Sequence, residues 1–193
     1  ILKINSPGGT AVQSSLMANA ISRLRAEYPK IPFYVVVDEM CASGGYFVAS
    51  AADKIFVNES SVVGSIGVLF DSFGFNKAMD KLGIERRMVT AGSEKGFMDP
   101  FSPESEKDKA HIQGLLNDIH KHFIDTVKAG RGERLKLDTP YLFSGLVWAG
   151  AKSVEIGLAD GFGDVEMVSR ELVKAPQVVD FTMQENIAER LAR

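Results

Sequence analysis

The chain has one cysteine in 193 residues, Cys41, so no internal disulfide can form. Cysteine usage therefore leaves the cellular compartment open. No apolar run approaches the roughly 20 residues that cross a bilayer. No leader of basic and then apolar residues stands at the start. No His-Glu-x-x-His or Cys-x-x-Cys spacing occurs, so no metal site is expected and no cofactor is implied. Basic charge is not in excess: Lys plus Arg is 22 and Asp plus Glu is 25, a net charge of −3. Such a chain has no electrostatic footprint for nucleic acid, and no such partner is expected. Internal repeats and low-complexity tracts are absent. What is present is the balance of a globular domain, 45% hydrophobic and 24% charged.

Short apolar runs alternate with amphipathic stretches over the first two thirds. Strands are expected at Ile1–Asn5, Phe33–Val37, Lys54–Val57, Ile66–Phe70 and Arg86–Thr90. Helices are expected from Ala11, capped by Thr10, to about Tyr28, at Tyr46–Ala52 and at Phe75–Leu82, the last stopped by Gly83. Leu16, Ile21 and Leu24 form the apolar face of the first. Ser102-Pro103-Glu104 reads as the start of a long helix to about Ala129, with Ile112, Leu115, Leu116, Ile119 and Phe123 facing a core. Shorter helices follow at Gly150–Ile156 and Val165–Leu172. The tail, Val178–Arg193, is an apolar patch and then a polar amphipathic piece. Alternation of this kind predicts right-handed crossovers and a mostly parallel sheet. The chain starts inside a strand, so we expect a fragment, with any membrane anchor or targeting segment upstream of residue 1.

Three segments have the wrong composition for plain packing. Ser6-Pro7-Gly8-Gly9 joins a strand to a helix. Its glycines free backbone N–H groups to face a phosphate or an oxyanion. A tight turn accounts for the same residues and, on spacing alone, is the better account. In Ala42-Ser43-Gly44-Gly45 small residues flank a serine, which permits the sharp turn that lifts a hydroxyl out of a sheet. An N-cap serine is an equal alternative. Ala91 to Pro100 is a Gly- and Pro-containing loop carrying Lys95, which by itself reads as a solvated surface lysine. The three histidines, His111, His120 and His122, all fall in the expected long helix. They read as part of a covering helix, and a Ser-His pair ranks well below Ser-Lys.

Six stretches in order resemble the signal peptide peptidase A family, also called protease IV. They are Asn5–Gly9, Ala42–Tyr46, Ala51–Ile55, Gly64–Val68, Gly92–Pro100 and Gly157–Asp160, and they span nearly the whole chain. The family comprises membrane-associated Ser-Lys serine proteases with an α/β fold shared with Clp protease and crotonase, a mostly parallel sheet with flanking helices. The resemblance implies Ser43 as nucleophile and Lys95 as general base, both on one protomer. It implies the N–H groups of Gly9 and Gly44 as the oxyanion hole and Ser65 as the residue orienting the lysine. It also implies apolar peptide substrates such as remnant signal peptides, a homo-oligomer, and residence at the bacterial membrane on its extracytoplasmic side. One peptidase domain is expected over 1–175, with a tail at 176–193 that contacts a neighbour. Cys41 and Phe47 stand where relatives differ, and neither threatens the mechanism.

The chemistry sets its own demand. A serine nucleophile needs a neutral base, and a solvated lysine is charged at neutral pH. Lys95 is therefore expected to be buried within hydrogen-bond reach of Ser43, walled by Phe97 and Met98, with Glu94 turned away. A crotonase-type acyl-thioester enzyme and a non-catalytic peptide-binding scaffold are the competing readings.

Overall fold

The computed structural model describes residues 1–182. Apolar residues on both faces make Tyr34–Ala42 (β2) the central strand, with Val35, Val36, Val37, Cys41 and Ala42 buried. At nine residues it is long enough to pair with three others. Leu2–Ser6 (β1) runs parallel to it, Lys54–Val57 (β3) pairs at Tyr34–Val36, and Val62–Gly64 (β4) pairs at Met40–Ala42. Val147–Ala149 (β5) adds antiparallel to β4, and Gly161–Phe162 (β6) adds parallel to β3. The fold is thus α/β with a mostly parallel sheet, as expected.

Ala11–Glu27 (α1) links β1 to β2, and Gly44–Ala49 (α2) follows β2 directly. Every residue of α2 is buried. Tyr46 is wholly enclosed, and its hydroxyl donates to the Leu158 carbonyl at 2.8 Å, which satisfies the one polar atom it brings inside. Asn76–Leu82 (α3) ends at Gly83, whose φ of 67° is the left-handed stop that glycine provides. Glu106–Arg131 (α4) is the long helix. Phe123 and Val127 bury its C-terminal half, and Phe123 meets Phe47 of α2 at 4.9 Å.

A buried ionic cluster locks the end of α4 to the sheet. Arg131, with a side chain 0% exposed, gives Nε to the Gly157 carbonyl (2.9 Å) and Nη1 to Asp160 (2.8 Å). Asp160 also accepts from the Ile55 N–H at 2.7 Å and from Arg134 at 3.0 Å.

Several expectations are corrected. Ile66–Phe70 and Arg86–Thr90 are not strands; the ladder partner of β2 is the shorter Val62–Gly64, and β5 and β6 join the sheet. Ser65, with φ of 53°, turns the chain out of the ladder just before Ile66. The long helix starts at Glu106, not at Ser102. Ser105 caps it, its side chain accepting from the Asp108 N–H, and two acidic residues in the first turn suit the helix dipole. Thr10 occupies the N-cap of α1 without a side-chain bond; its carbonyl accepts from Ser14 instead. Leu16 and Leu24 are exposed and α1 buries Ser14 and Ala18, while Leu115 and Ile119 are also exposed. The last helix is Val165–Met167 (α6) followed by a π-helical turn, Val168–Val173; a short helix, Gly150–Glu155 (α5), precedes it. In the tail, Val178, Val179 and Phe181 are exposed, and the amphipathic piece expected after them lies outside the described residues.

Candidate active site

The site forms where β2 stops. Ser43 follows its last residue with φ 51° and ψ −123°, a conformation that costs a non-glycine residue about 1–3 kcal/mol. Both ends of the residue are held: its N–H donates to the Gly64 carbonyl at 2.8 Å, and its carbonyl accepts from Phe47 at 2.9 Å. The neighbouring strand turns out in the same way. Ala42 pairs with Gly64, so Ser43 and Ser65 leave adjacent strand ends together, both with positive φ. The carboxyl ends of parallel strands are where α/β folds place ligands.

Glycine lets the β1–α1 loop close on this turn. Gly8 has φ 131°, and a Cβ on it would stand 2.8 Å from Ser43 Cβ and 3.1 Å from Ser43 Oγ. A Cβ on Gly44 would overlap Ser14 Oγ and lie 3.0 Å from the Gly9 nitrogen. Backbone thus touches backbone, and among the described residues neither the Gly9 nor the Gly44 N–H has an acceptor. Two such donors beside a serine hydroxyl form an arrangement able to hold a developing oxyanion. A Gly8→Ala protein is expected to lose at least about 100-fold in kcat/KM, since misplacing reacting groups by about 1 Å costs that much. A steady-state assay with unchanged kcat/KM would contradict this placement.

Ser43, Ser65, Gly9 and Gly44 line one cleft of about 560 Å³, walled by Phe47, Phe123, Ile119 and Leu69. Its one ionisable lining residue is His122, whose ring meets Phe47 at 5.5 Å and whose Nε2 lies 3.3 Å from Ser15 Oγ. Sequence reasoning set His122 aside and missed Ser14; helical spacing alone does not say which α4 residue meets a distant loop. Cys41, two residues before Ser43, is buried, and burial pushes its thiol up to about 12, so it is no competing nucleophile. No group of three or more metal-ligating side chains converges among the described residues.

Lys95 stands elsewhere. Its side chain is exposed, and it does not line the cleft. Its loop is docked on the first turns of α4: Glu94 bonds Lys107 at 2.6 Å, the Met98 N–H donates to Asp108 at 3.2 Å, and Phe97 packs edge-on against His111. Glu94 thus points to α4, and Phe97 is spent on His111 rather than on walling Lys95. The cleft borders α4 about twelve residues further on, or about 18 Å at about 1.5 Å per residue. Ser43, Ser65, Gly9 and Gly44 thus line one cleft, and exposed Lys95 is not among its lining residues.

The chain is 49% identical over 164 residues to part of a Brucella melitensis protein named "Na(+)/H(+) antiporter NhaA", covering 85% of this chain and 22% of that one. It is 31% identical over 188 residues to an Enterococcus faecium protein named after signal peptide peptidase SppA, covering 96% of this chain and 53% of that one. The chain thus spans about a fifth of the first relative and about half of the second. A crystal structure of an enoyl-CoA hydratase/isomerase family member aligns at TM-score 0.43 and 18% identity, over 88% of this chain and 45% of that one. The family model for Peptidase family S49 matches residues 25–179. The chain belongs to peptidase family S49.

Proposed function

We propose that this chain is the catalytic part of a serine endopeptidase. Ser43 attacks the scissile carbonyl, the Gly9 and Gly44 N–H groups hold the oxyanion, and Lys95, oriented by Ser65, takes the serine proton. One observation carries the reading: a serine held at positive φ on a strand end, with two N–H groups beside it that have no acceptor among the described residues. The apolar walls of the cleft favour apolar peptide side chains, such as those of signal-peptide remnants at a membrane. The membrane anchor would lie outside this chain; among the described residues no helix is long and apolar enough to span a bilayer.

The position of Lys95 makes assembly part of the proposal. A lysine exposed outside the cleft, on a loop docked against the first turns of α4, would reach Ser43 through the loop of a neighbouring copy or after redocking of its own. The region from Leu69 to Val89 favours a homo-oligomer, for Leu69 is 82% exposed, Phe73 73%, Leu82 73% and Val89 98%.

A digest of a peptide library by wild-type and Ser43→Ala proteins tests the reading. Cleavage at apolar sites that vanishes in Ser43→Ala is expected; equal cleavage by both overturns it. A Ser43–His122 pair is the second reading, favoured by His122 lining the cleft. It requires that His122→Ala abolish cleavage while Lys95→Ala does not.

A further inference from the structure

The chain from Ser65 into the cleft wall is held by a short series of ties. The Ser65 N–H donates to the Leu146 carbonyl at 2.8 Å, and the Gly67 N–H to the Ser65 carbonyl at 2.9 Å. The Ile66 side chain is wholly buried. Its carbonyl lies 3.0 Å from Nε2 of His120, half-buried on α4. A carbonyl only accepts, so this nitrogen carries the hydrogen. Beyond Gly67, the backbone of Val68, Leu69 and Phe70 has no hydrogen bond to any described residue, yet Val68 and Leu69 line the cleft. His120 is thus the last side-chain tie before the wall.

We propose that His120 is a positioning residue for peptide binding: through the Ile66 carbonyl it fixes the direction in which Val68 and Leu69 leave the sheet. The proposal rests on the peptidase reading. It separates His120 from His122, two residues on, which faces the cleft itself.

The geometry prescribes the variants. Glutamine carries an N–H donor near the place of imidazole Nε2, whereas asparagine carries one near Nδ1. His120→Gln therefore keeps the tie, and His120→Asn and His120→Ala lose it. In the active protein, His120→Ala and His120→Asn are expected to raise KM for an apolar decapeptide about tenfold, the worth of one hydrogen bond. Their kcat should stay within about twofold, and His120→Gln should restore KM. In a Ser43→Ala background, decapeptide affinity by calorimetry should follow the same order without any turnover. If His120→Ala fails to fold, the Gln and Asn variants carry the comparison. Equal affinities for Gln and Asn, or a fall in kcat with KM unchanged, overturn the proposal. A Ser43→Ala protein that binds no peptide, paired with a wild type that cleaves none, instead brings down the peptidase reading and this proposal with it.

Discussion

With Lys95 as the proposed base, a Lys95→Ala protein is expected to hydrolyse peptides at least about 10³-fold more slowly than wild type, for the Ser43 proton then loses its acceptor. Lys95→Arg is equally impaired, since a guanidinium stays charged and cannot act as a base. These variants should fold normally: Lys95 is exposed, and the contacts that dock its loop belong to Glu94, Phe97 and Met98. A second experiment asks whose lysine serves whose serine. Lys95→Ala and Ser43→Ala proteins are mixed, dissociated and reassembled. If the loop serves a neighbour, random assembly restores roughly a quarter of the sites, each taking Ser43 from one mutant and Lys95 from the other. If the loop redocks onto its own cleft, the mixture stays inactive. Full activity in Lys95→Ala alone contradicts the assignment of the base.

An Asp160→Asn protein is destabilised by about 3–5 kcal/mol, the usual cost of removing one partner from a buried ion pair. Arg131 has no exposed side-chain surface, and its Nη2 already lacks a partner among the described residues. Losing the carboxylate charge leaves a buried guanidinium with neutral acceptors alone, the Gly157 carbonyl and the asparagine amide oxygen. Burial pushes the Asp160 carboxyl up, but Arg131, the Ile55 N–H and Arg134 outweigh it and hold it below its ordinary 3.8. The sign follows from linkage. A depressed carboxyl contributes stability that is fully present above 3.8 and is lost as pH falls through the folded value. Urea titrations of wild type should therefore show stability falling on the acid side of 3.8, with a flatter limb in Asp160→Asn. A loss under about 1 kcal/mol would contradict the account. The lesion should also reach the site. Leu158 and Asp160 sit on one turn, Leu158 accepts the Tyr46 hydroxyl, and Tyr46 seats the helix that begins beside Ser43.

What the chain shows before folding divides along physical lines. Ser43, Gly9, Gly44 and Ser65 stand in short motifs because their task is local: a turn at a strand end with small neighbours. Such demands leave a mark within a few residues. The position of Lys95 leaves none. It is set by Glu94 on Lys107 and Phe97 on His111, contacts between side chains that no periodicity links. The false strand at Ile66–Phe70 is an apolar run, but Ser65 at positive φ takes it out of the ladder, and a three-residue strand before it is too short to read. The apolar stripes on α1 and α4 show a different limit. Periodicity says that a face is covered and not by what, and Leu16, Leu24, Leu115 and Ile119 are bare in the single chain.

Every step of the proposed reaction depends on Ser43 as the nucleophile. The most direct test of that role is mass spectrometry of the assembled protein after reaction with a fluorophosphonate, which forms a stable adduct only with an activated serine hydroxyl. One adduct per chain is expected, on the peptide containing Ser43 and absent from Lys95→Ala. Labelling at another serine, or none in a protein that cleaves peptides, would contradict it.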